Sequence, residues 1–446
     1  MINETRTRRS ILAAMAALPM GLAVACGQGA GAGSSAAPAA SKVTGKVLVM
    51  LYQTSSPKVD LQMAMYDDFN KEYKPKGLEV EYTNPGSTAL IEKVTALHAA
   101  GTPADVYEHP RLWRELDGLI NDLSAYFKRD KIDEKQWFPE SVNVMRDGSK
   151  MWGMPVSISA DAVAYNLDLF EQAGIKPPPQ DPDDRSWTME AFLDAAKKLT
   201  KGQTQFGAES KFTGGIDWAN WPTWFGYGPV DLANKKVTIN TPGFQQGLQF
   251  WIDLTNRHHV MPTSAELAPL RSVAGQDSFL TGKIGMKGIF AVAEKPQFRW
   301  GLAAQPYTPN PQQPKNVSAR ISVHSIFIDN TSKVKDQAWE IFKYWMKPEN
   351  DAKYVLSDGH VVSPLVKGAF EITTKDFKDK YGADPKAFQL MAQHSKVDAW
   401  GYYLLKDWAK ARADIDTIFT DCKNEKMSVA EFAKRAQEIT ERTASF

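Results

Sequence analysis

Between residues 46 and 110 the chain alternates strand-like and helix-like hydrophobic patterns, and that alternation restricts its possible folds more than any other feature. "KVLVMLYQ" (46–53) is a nearly continuous apolar run of buried-strand length. Val59, Met63, Tyr66, Phe69 and Tyr73 then recur three or four residues apart, which draws one apolar stripe along a helix. "LEVEYTN" (78–84) alternates with period two, as a half-buried strand does. A second helix, capped by Ser87, carries Leu90, Val94 and Leu97 on one face and stops at Gly101. "ADVYEHP" (104–110) is a third short strand ended by proline. This β-α-β-α-β order predicts an α/β fold with a mostly parallel sheet and helices on both faces. Ligands bind such sheets beyond the carboxyl ends of the strands, which singles out residues 52–56 and 107–111.

The first residues are not part of that fold. "TRTRRSILAAMAALPMGLAVAC" places arginines before an apolar run and small residues before Cys26, the order of an export signal. The run is short for a membrane span and contains Pro19 and Gly21. Arg8-Arg9-Ser10-Ile11-Leu12 is similar to a twin-arginine signal, which exports folded protein. Two cleavage readings stand. "LAVAC" resembles a lipobox that makes Cys26 the lipidated first residue, although Ala23 occupies the usual leucine position; Ala23-Val24-Ala25 also satisfies ordinary A-x-A cleavage. The low-complexity stretch "GQGAGAGSSAAPAASK" (27–42) favours lipidation, because a flexible tether suits a domain hung from a lipid. The expected organisation is therefore a signal over 1–25, a tether over 26–42 and an extracytoplasmic domain anchored on the outer face of the cell membrane.

Loss of 1–25 removes Arg6, Arg8, Arg9 and Glu4, leaving 50 basic against 51 acidic residues. That balance gives no reason to expect a nucleic-acid partner. With only two cysteines, one of them lipidated, the exported chain has no disulfide and must rely on its core. At 446 residues there is material for two or three domains.

Further along, "DGSKMWGMPVSISADAVAYNLDLFEQAGI" (147–175) reads as a turn, a long extended run and a short helix stopped by Gly174. "KPPPQDPDDRS" (176–186) is a surface loop, and "WTMEAFLDAAKKLT" is an amphipathic helix with Thr188 as its N-cap. Helices are also expected over 243–260, 335–346 and 427–443, with no internal repeat and no spanning segment. The stretch "GIDWANWPTWFGYGP" (215–229) crowds Trp218, Trp221, Trp224, Phe225 and Tyr227 together. Pro222 disfavours helical geometry at Trp221 and suits the first turn of a helix, so Trp218 and Trp221 are expected in a loop before a helix that starts near Pro222.

Taken in order, these blocks resemble the family 1 extracellular solute-binding proteins, the carbohydrate receptors of bacterial ABC importers. The most specific part is "MWGMPVSISADAVAYNLDLFEQAGIKPPP…SWTMEAFLDAAKKLT". "GTPADVY", "FLTGKIGM", "VKDQAWEIFKYWMKPENDAKY" and "MSVAEFAKRAQEITE" are similar to further family blocks. The resemblance implies a two-lobe clamshell of the type II periplasmic-binding fold, with chain crossings near 155–160, 304–309 and 359–364. It assigns 43–157 plus 308–360 to an N-lobe and 158–307 plus 361–446 to a C-lobe. It further implies a monomeric receptor without cofactor or bound metal, which delivers a sugar to a membrane permease served by a separate cytoplasmic ATPase. No G-x-x-x-x-G-K-[ST] segment makes this chain the ATPase itself.

Sugars need aromatic faces for their C–H surfaces and polar groups for their hydroxyls. On the N-lobe the candidates are Gln53, Thr54 and Ser55 after the first strand, with Glu108, His109 and Arg111 after the third. Ser157, Ser159 and Asp161 lie at the first crossing. By the resemblance, the C-lobe offers Trp218, Trp221, Trp224, Phe290, Trp400, Tyr402 and Tyr403, while Phe225 and Tyr227 pack inward. His324 and His360 near the other crossings are read as structural, and His258-His259 as a solvated helix end rather than a metal site. Other transported ligands remain open: a glycerol phosphodiester, a polyamine, or iron held by paired tyrosines. An exported glycan-active enzyme is the reading from another class; no G-x-S-x-G, H-E-x-x-H or C-x-x-C segment supports it.

Overall fold

A computed structural model describes residues 43–446 except 52–55, 85–89, 111–113, 115, 180, 182–183, 210–216, 233, 273–276, 290–293, 309–320, 358–361, 364–366 and 388–404; at a few further positions, His109, Ser157 and Ser159 among them, only the backbone is described. Among the described residues the chain builds two large sheets, beside two small two-stranded ribbons at 146–151 and 230–237. Strands β1 (Gly45–Met50), β2 (Leu78–Thr83), β3 (Val106–Pro110) and β4 (Met154–Ala160) belong to the first. The chain then crosses to the second sheet for β5 (Ala162–Asn166), β6 (Phe206–Glu209), β7 (Ile284–Ile289) and β8 (Trp300–Ala303). It returns to the first for β9 (Ile321–Ile328) and β10 (Val362–Ser363).

The first sheet has the order β10-β4-β9-β3-β1-β2. The β-α-β-α-β reading holds for its opening strands: β1 pairs in parallel with both β2 and β3. The helix Ser56–Tyr73 packs Tyr66 and Phe69 into that core, Leu90–Ala99 adds Leu90 and Val94, and Lys335–Trp345 adds Trp339, Ile341 and Phe342. The expectation of mostly parallel sheets is corrected for the rest. Strand β9 is antiparallel to both β3 and β4, and β10 is antiparallel to β4. The reason lies in the crossings. A strand reached through a helix within one lobe returns in the same direction. A strand that leaves for the other lobe and one that comes back from it share one end of the sheet and so run in opposite directions; Ala160 at the exit lies opposite Ile321 at the return.

The second sheet, β8-β5-β7-β6, is also mixed, with β6 and β7 parallel and the other two pairs antiparallel. It is covered on both faces, so β5 is buried along its whole length. Ala162 and Ala164 join one cluster with Phe206, Phe279 and Trp300. Val163 and Tyr165 point to the other face, against the helices Met189–Leu199, Pro242–Asn256, Trp408–Lys423 and Val429–Thr443. Thr188 caps the first of these as expected, accepting from the Ala191 amide at 3.1 Å.

The lobe limits expected from the resemblance also shift. Residues 158–160 and 362–363 remain in the first sheet, because β4 keeps its pairing with β9 as far as Ala160. The helix Lys367–Tyr381 touches both cores, through Ala369 at its start and Phe377 and Tyr381 near its end.

Candidate functional site

Strand register locates the end of each sheet that meets the crossings. In the first sheet Met50 lies beside Tyr107, Pro110 opposite His324 and Ala160 opposite Ile321. Segments 52–55 and 111–113 therefore follow strand ends at that edge, and Ser157, Ser159 and His109 lie on the strands leading to it. Asp161 is the one residue between the two sheets and is fully buried. In the second sheet Ala162 lies opposite Ile289, Val163 opposite Ala303, and Glu209 opposite Lys287. So β6, β7 and β8 all end where β5 begins. Both sheets thus present strand ends to the same crossings, where two-lobed α/β folds hold ligands. Gln305, also buried, follows β8 at this edge.

The second crossing is fastened to the C-lobe side. The Tyr307 amide donates to the Trp187 carbonyl at 2.5 Å, and the Thr308 hydroxyl donates to the Trp224 carbonyl at 3.1 Å. The Arg185 guanidinium lies 4.8 Å from the centre of the Tyr307 ring. On the N-lobe side, the β9–β4 register slips between His324 and Ser325, where Val156 is the extra residue, a bulge in the outgoing strand β4 close to the crossing.

Several expected site residues take other roles. Glu108 is not a free hydroxyl acceptor: it is 3% exposed, and the Tyr66 hydroxyl donates to its Oε1 at 2.5 Å. Strand β3 is central in its sheet, with neighbours on both sides, so its side chains face packed layers. Trp218, Trp221 and Trp224 are core residues rather than cleft platforms, at 0%, 0% and 1% exposure. Trp218 packs on Phe244, Trp408 and Phe432, and its Nε1 donates to Asp416 Oδ1 at 3.0 Å. Trp221 and Trp224 lie 4.6 Å apart between centroids and meet Phe192 edge-on. The helix also starts earlier than Pro222 implied; it runs Asp217–Trp224 with Pro222 inside it. Proline removes only the bond to the Trp218 carbonyl, and burial of three indoles on adjoining helical positions outweighs that loss. Gly247 on the neighbouring helix allows the approach, since a Cβ there would sit 2.7 Å from Pro222 Cα. Phe225 is buried and Tyr227 packs against the same core, as expected. Gln53, Thr54, Ser55, Arg111, Phe290, Trp400, Tyr402 and Tyr403 lie outside the described residues, as do Cys26, the signal, the tether and His360.

Residue-by-residue reading missed a group that the fold assembles at the end of the second sheet. Lys287 is 8% exposed and its ammonium lies 2.8 Å from Asp277 Oδ1, 3.1 Å from Ser278 Oγ and 3.4 Å from Glu209 Oε2. The Ser278 hydroxyl donates to the same Glu209 Oε2. Burial pushes the Glu209 carboxyl up from its ordinary value, and the Lys287 charge, with Arg271, acts against that rise. The signal was present only as a glutamate ending one strand and a lysine two residues before the end of another, which no spacing rule connects. Among the described residues no group of three or more His, Cys, Asp or Glu side chains is placed to hold a metal ion.

Two mixed α/β sheets, each covered by helices and joined by several chain crossings, define a two-lobed binding protein of the type II periplasmic class. The chain belongs to the bacterial extracellular solute-binding protein family, whose sequence profile matches residues 54–352. This is a family of solute-binding proteins rather than enzymes, and membership places the working protein outside the cytoplasm. A Brucella abortus (strain 2308) protein, provisionally named a binding protein, is 28% identical over 349 residues, covering 70% of this chain and 78% of its own. The fold is shared with the Listeria monocytogenes ABC substrate-binding protein Lmo0181 solved in complex with cycloalternan: TM-score 0.71, 18% identity, 89% of this chain and 98% of that one. It is shared as well with UgpB from Mycobacterium tuberculosis in complex with glycerophosphocholine: TM-score 0.69, 16% identity, 90% and 99%.

Proposed function

We propose that this protein is the substrate-binding component of an ABC importer and captures a sugar or oligosaccharide between its two lobes for delivery to a membrane permease. The observation that carries the reading is the meeting of both sheets' strand ends at the chain crossings, in a chain that belongs to a solute-binding family. Such a receptor needs no catalyst. Open and closed arrangements differ by a few kcal/mol, and a ligand that touches both lobes favours the closed one by its differential affinity. Buried carboxylates at the strand ends, Asp161 and Glu209, suit hydroxyl recognition better than phosphate recognition, which calls for clustered arginine or lysine donors; the buried Lys287 there is already paired with Asp277 and Glu209. Several solved proteins of this fold, the Listeria one among them, carry glycans. We also assign to the protein lipidation at Cys26, export by the twin-arginine route and action as a monomer. Its lobes divide at Asp161 and near Thr308.

A fluorescence thermal-shift screen of mono- and oligosaccharides on the purified protein tests this reading. A ligand that binds only the folded state raises its stability by mass action, about 2.7 kcal/mol at a hundred times Kd. At least one glycan is expected to raise the melting midpoint. If no glycan does and glycerophosphocholine, a polyamine or Fe³⁺ does, the sugar reading is wrong.

A further inference from the structure

A cavity of about 370 Å³ opens at the end of the first sheet that faces away from the crossings. Phe127, Ile132 and Met151 form its apolar floor, and Lys128, Lys131, Arg146 and Glu134 bring charge to its walls. Register fixes its position. Met50, Pro110 and Ala160 mark the crossing end of the sheet, whereas Gly45, Leu78 and Ile328 mark the opposite end. The Asn121 amide donates to the Ile328 carbonyl and the Leu123 amide to the Met151 carbonyl, both at 2.7 Å. The helix Ser124–Arg129 and the ribbon at 146–151 are thereby fastened to that opposite end. The Ser124 hydroxyl joins the two, donating to Asp122 Oδ1 at 2.6 Å and accepting from the Met151 amide at 2.9 Å. Arg146 is paired with Glu134, but Lys128 and Lys131 are exposed and form no ion pair among the described residues. Lys131 is also strained. The Ile132 amide donates to the Phe127 carbonyl at 3.0 Å and the Lys131 amide to the Lys128 carbonyl at 3.3 Å, the helix ending in which residue 131 takes a left-handed conformation, here with φ of 51°. Glycine is the usual residue there, so a lysine in its place points to a use for the side chain. The chain enters the fold at this same end. Gln337 Nε2 donates to the Thr44 carbonyl at 2.8 Å, and the adjoining Asp336 accepts from Arg129 Nη1 at 3.0 Å.

We propose that this cavity binds the phosphate headgroup of an anionic phospholipid, at the surface of the membrane to which the chain is anchored, with Lys128, Lys131 and Arg146 as its donors. Only the source of the headgroup rests on the reading of Cys26 as lipidated. Two unpaired ammonium groups beside a guanidinium suit a phosphate, which accepts charge-assisted hydrogen bonds from both. The apolar floor favours an anion that carries a hydrocarbon body over a free hydrated ion. The volume falls within the range of about 300–1,000 Å³ typical of organic ligand sites. Residues 26–42 are rich in glycine, alanine and serine. A chain of that length and composition has a root-mean-square span on the order of 20 Å, which keeps the base of the N-lobe within reach of the surface. Held there, the strand ends that meet the crossings point away from the membrane, towards arriving solute.

The test is co-sedimentation with vesicles of the chain from residue 26 carrying Cys26→Ser, which keeps every described element and has no lipid of its own. Vesicles of equal parts phosphatidylcholine and phosphatidylglycerol are expected to bind it, and vesicles of phosphatidylcholine alone are not. Lys128→Gln and Lys131→Gln should each weaken binding roughly fivefold, and the double variant roughly twentyfold. Lys131→Gly should lose as much as Lys131→Gln with no fall in the melting midpoint, because glycine relieves the left-handed residue; it carries the test if a glutamine variant fails to fold. Lys198→Gln, on the C-lobe, removes one charge elsewhere and should bind within twofold of the parent chain. An equal loss at Lys198→Gln, or binding by the double variant within twofold of the parent, would overturn the assignment. So would binding of inorganic phosphate or a polyglutamate peptide without binding of the mixed vesicles, which would make the cavity a site for a soluble anion or for an acidic protein segment. Phase partition of the exported wild-type chain in a clouding detergent reports the anchor separately. A chain that stays in the aqueous phase, and still needs the two lysines to bind the mixed vesicles, would remove the anchor reading and leave the site standing.

Discussion

The two lobes bring acidic groups to their sheets in opposite ways. In the N-lobe Glu108 is turned into the core and takes the Tyr66 hydroxyl, and Asp130 takes Arg129 Nε at 2.7 Å and Trp339 Nε1 at 2.6 Å. In the C-lobe Glu209 ends its strand with Oε2 held by the Ser278 hydroxyl and by Lys287, which also pairs with Asp277. The first arrangement is closed on itself and contributes to stability. The second joins a buried lysine to two acids and a hydroxyl at the strand ends that meet the chain crossings. A buried carboxylate is therefore informative about function only once its partners have been counted.

The largest way to sharpen that contrast is in the tryptophan core of the C-lobe. Trp218→Ala should lower stability by about 3–5 kcal/mol, read from the urea midpoint, because the indole is fully enclosed and donates to Asp416. Glycan affinity of the remaining folded protein should be unchanged. A large loss of affinity with an intact midpoint would return this ring to the cleft. Tyr66→Phe in the N-lobe should cost less, about 1–3 kcal/mol, since it leaves the buried Glu108 carboxylate without one donor. It too should leave glycan binding alone, and an effect on affinity would mean that Glu108 reaches the ligand after all.

A smaller effect comes from pH, with opposite signs in the two lobes. Arg129, and after it the Trp339 indole, holds Asp130 below its ordinary value of 3.8, so its stabilisation is present above that pH and is lost as pH falls through the folded-state value. Burial holds Glu209 above 4.5, so its contribution is present below that pH and is lost as pH rises through the folded-state value. Melting curves against pH should therefore show a flattened acid limb for Asp130→Asn, and a smaller decline above about pH 4.5 for Glu209→Gln than for wild type. Matching slopes in the two variants would remove the distinction. The smallest expected change is at Cys422, buried in the C-lobe core with its thiol pushed up to about 12 by burial. Dithionitrobenzoate at pH 8 should leave it unmodified in the native protein and react with it in urea. Rapid native reaction would mean that the helix Trp408–Lys423 opens.

Features that rest on near neighbours were legible in the sequence. The opening β-α-β-α-β order follows from local periodicity. Gly101 and Gly174 end helices with φ of 71° and 65°, which glycine alone adopts at no steric cost. Thr188 caps its helix through the residue three positions on. Features that rest on distant partners were not legible. The Trp218 ring is buried by Trp408 and Phe432, from two helices near the end of the chain, so its spacing alone could not tell a core from a cleft. Strand direction in the mixed sheets depends on which strands cross between lobes, and periodicity does not encode that. Glu209 and Lys287 are neighbours only because β6 and β7 pair in parallel.

The central claim is that one glycan is held by both lobes, and the distance between lobes reports it directly. Spin labels at Lys71→Cys on the N-lobe and Lys198→Cys on the C-lobe occupy exposed positions, and the buried Cys422 does not compete for label when Cys26 is replaced by serine. Double electron–electron resonance with a glycan found by the thermal-shift screen is expected to give a single, narrower and shorter distance distribution at saturation. A glycan that binds by calorimetry and leaves that distribution unchanged would contradict the account.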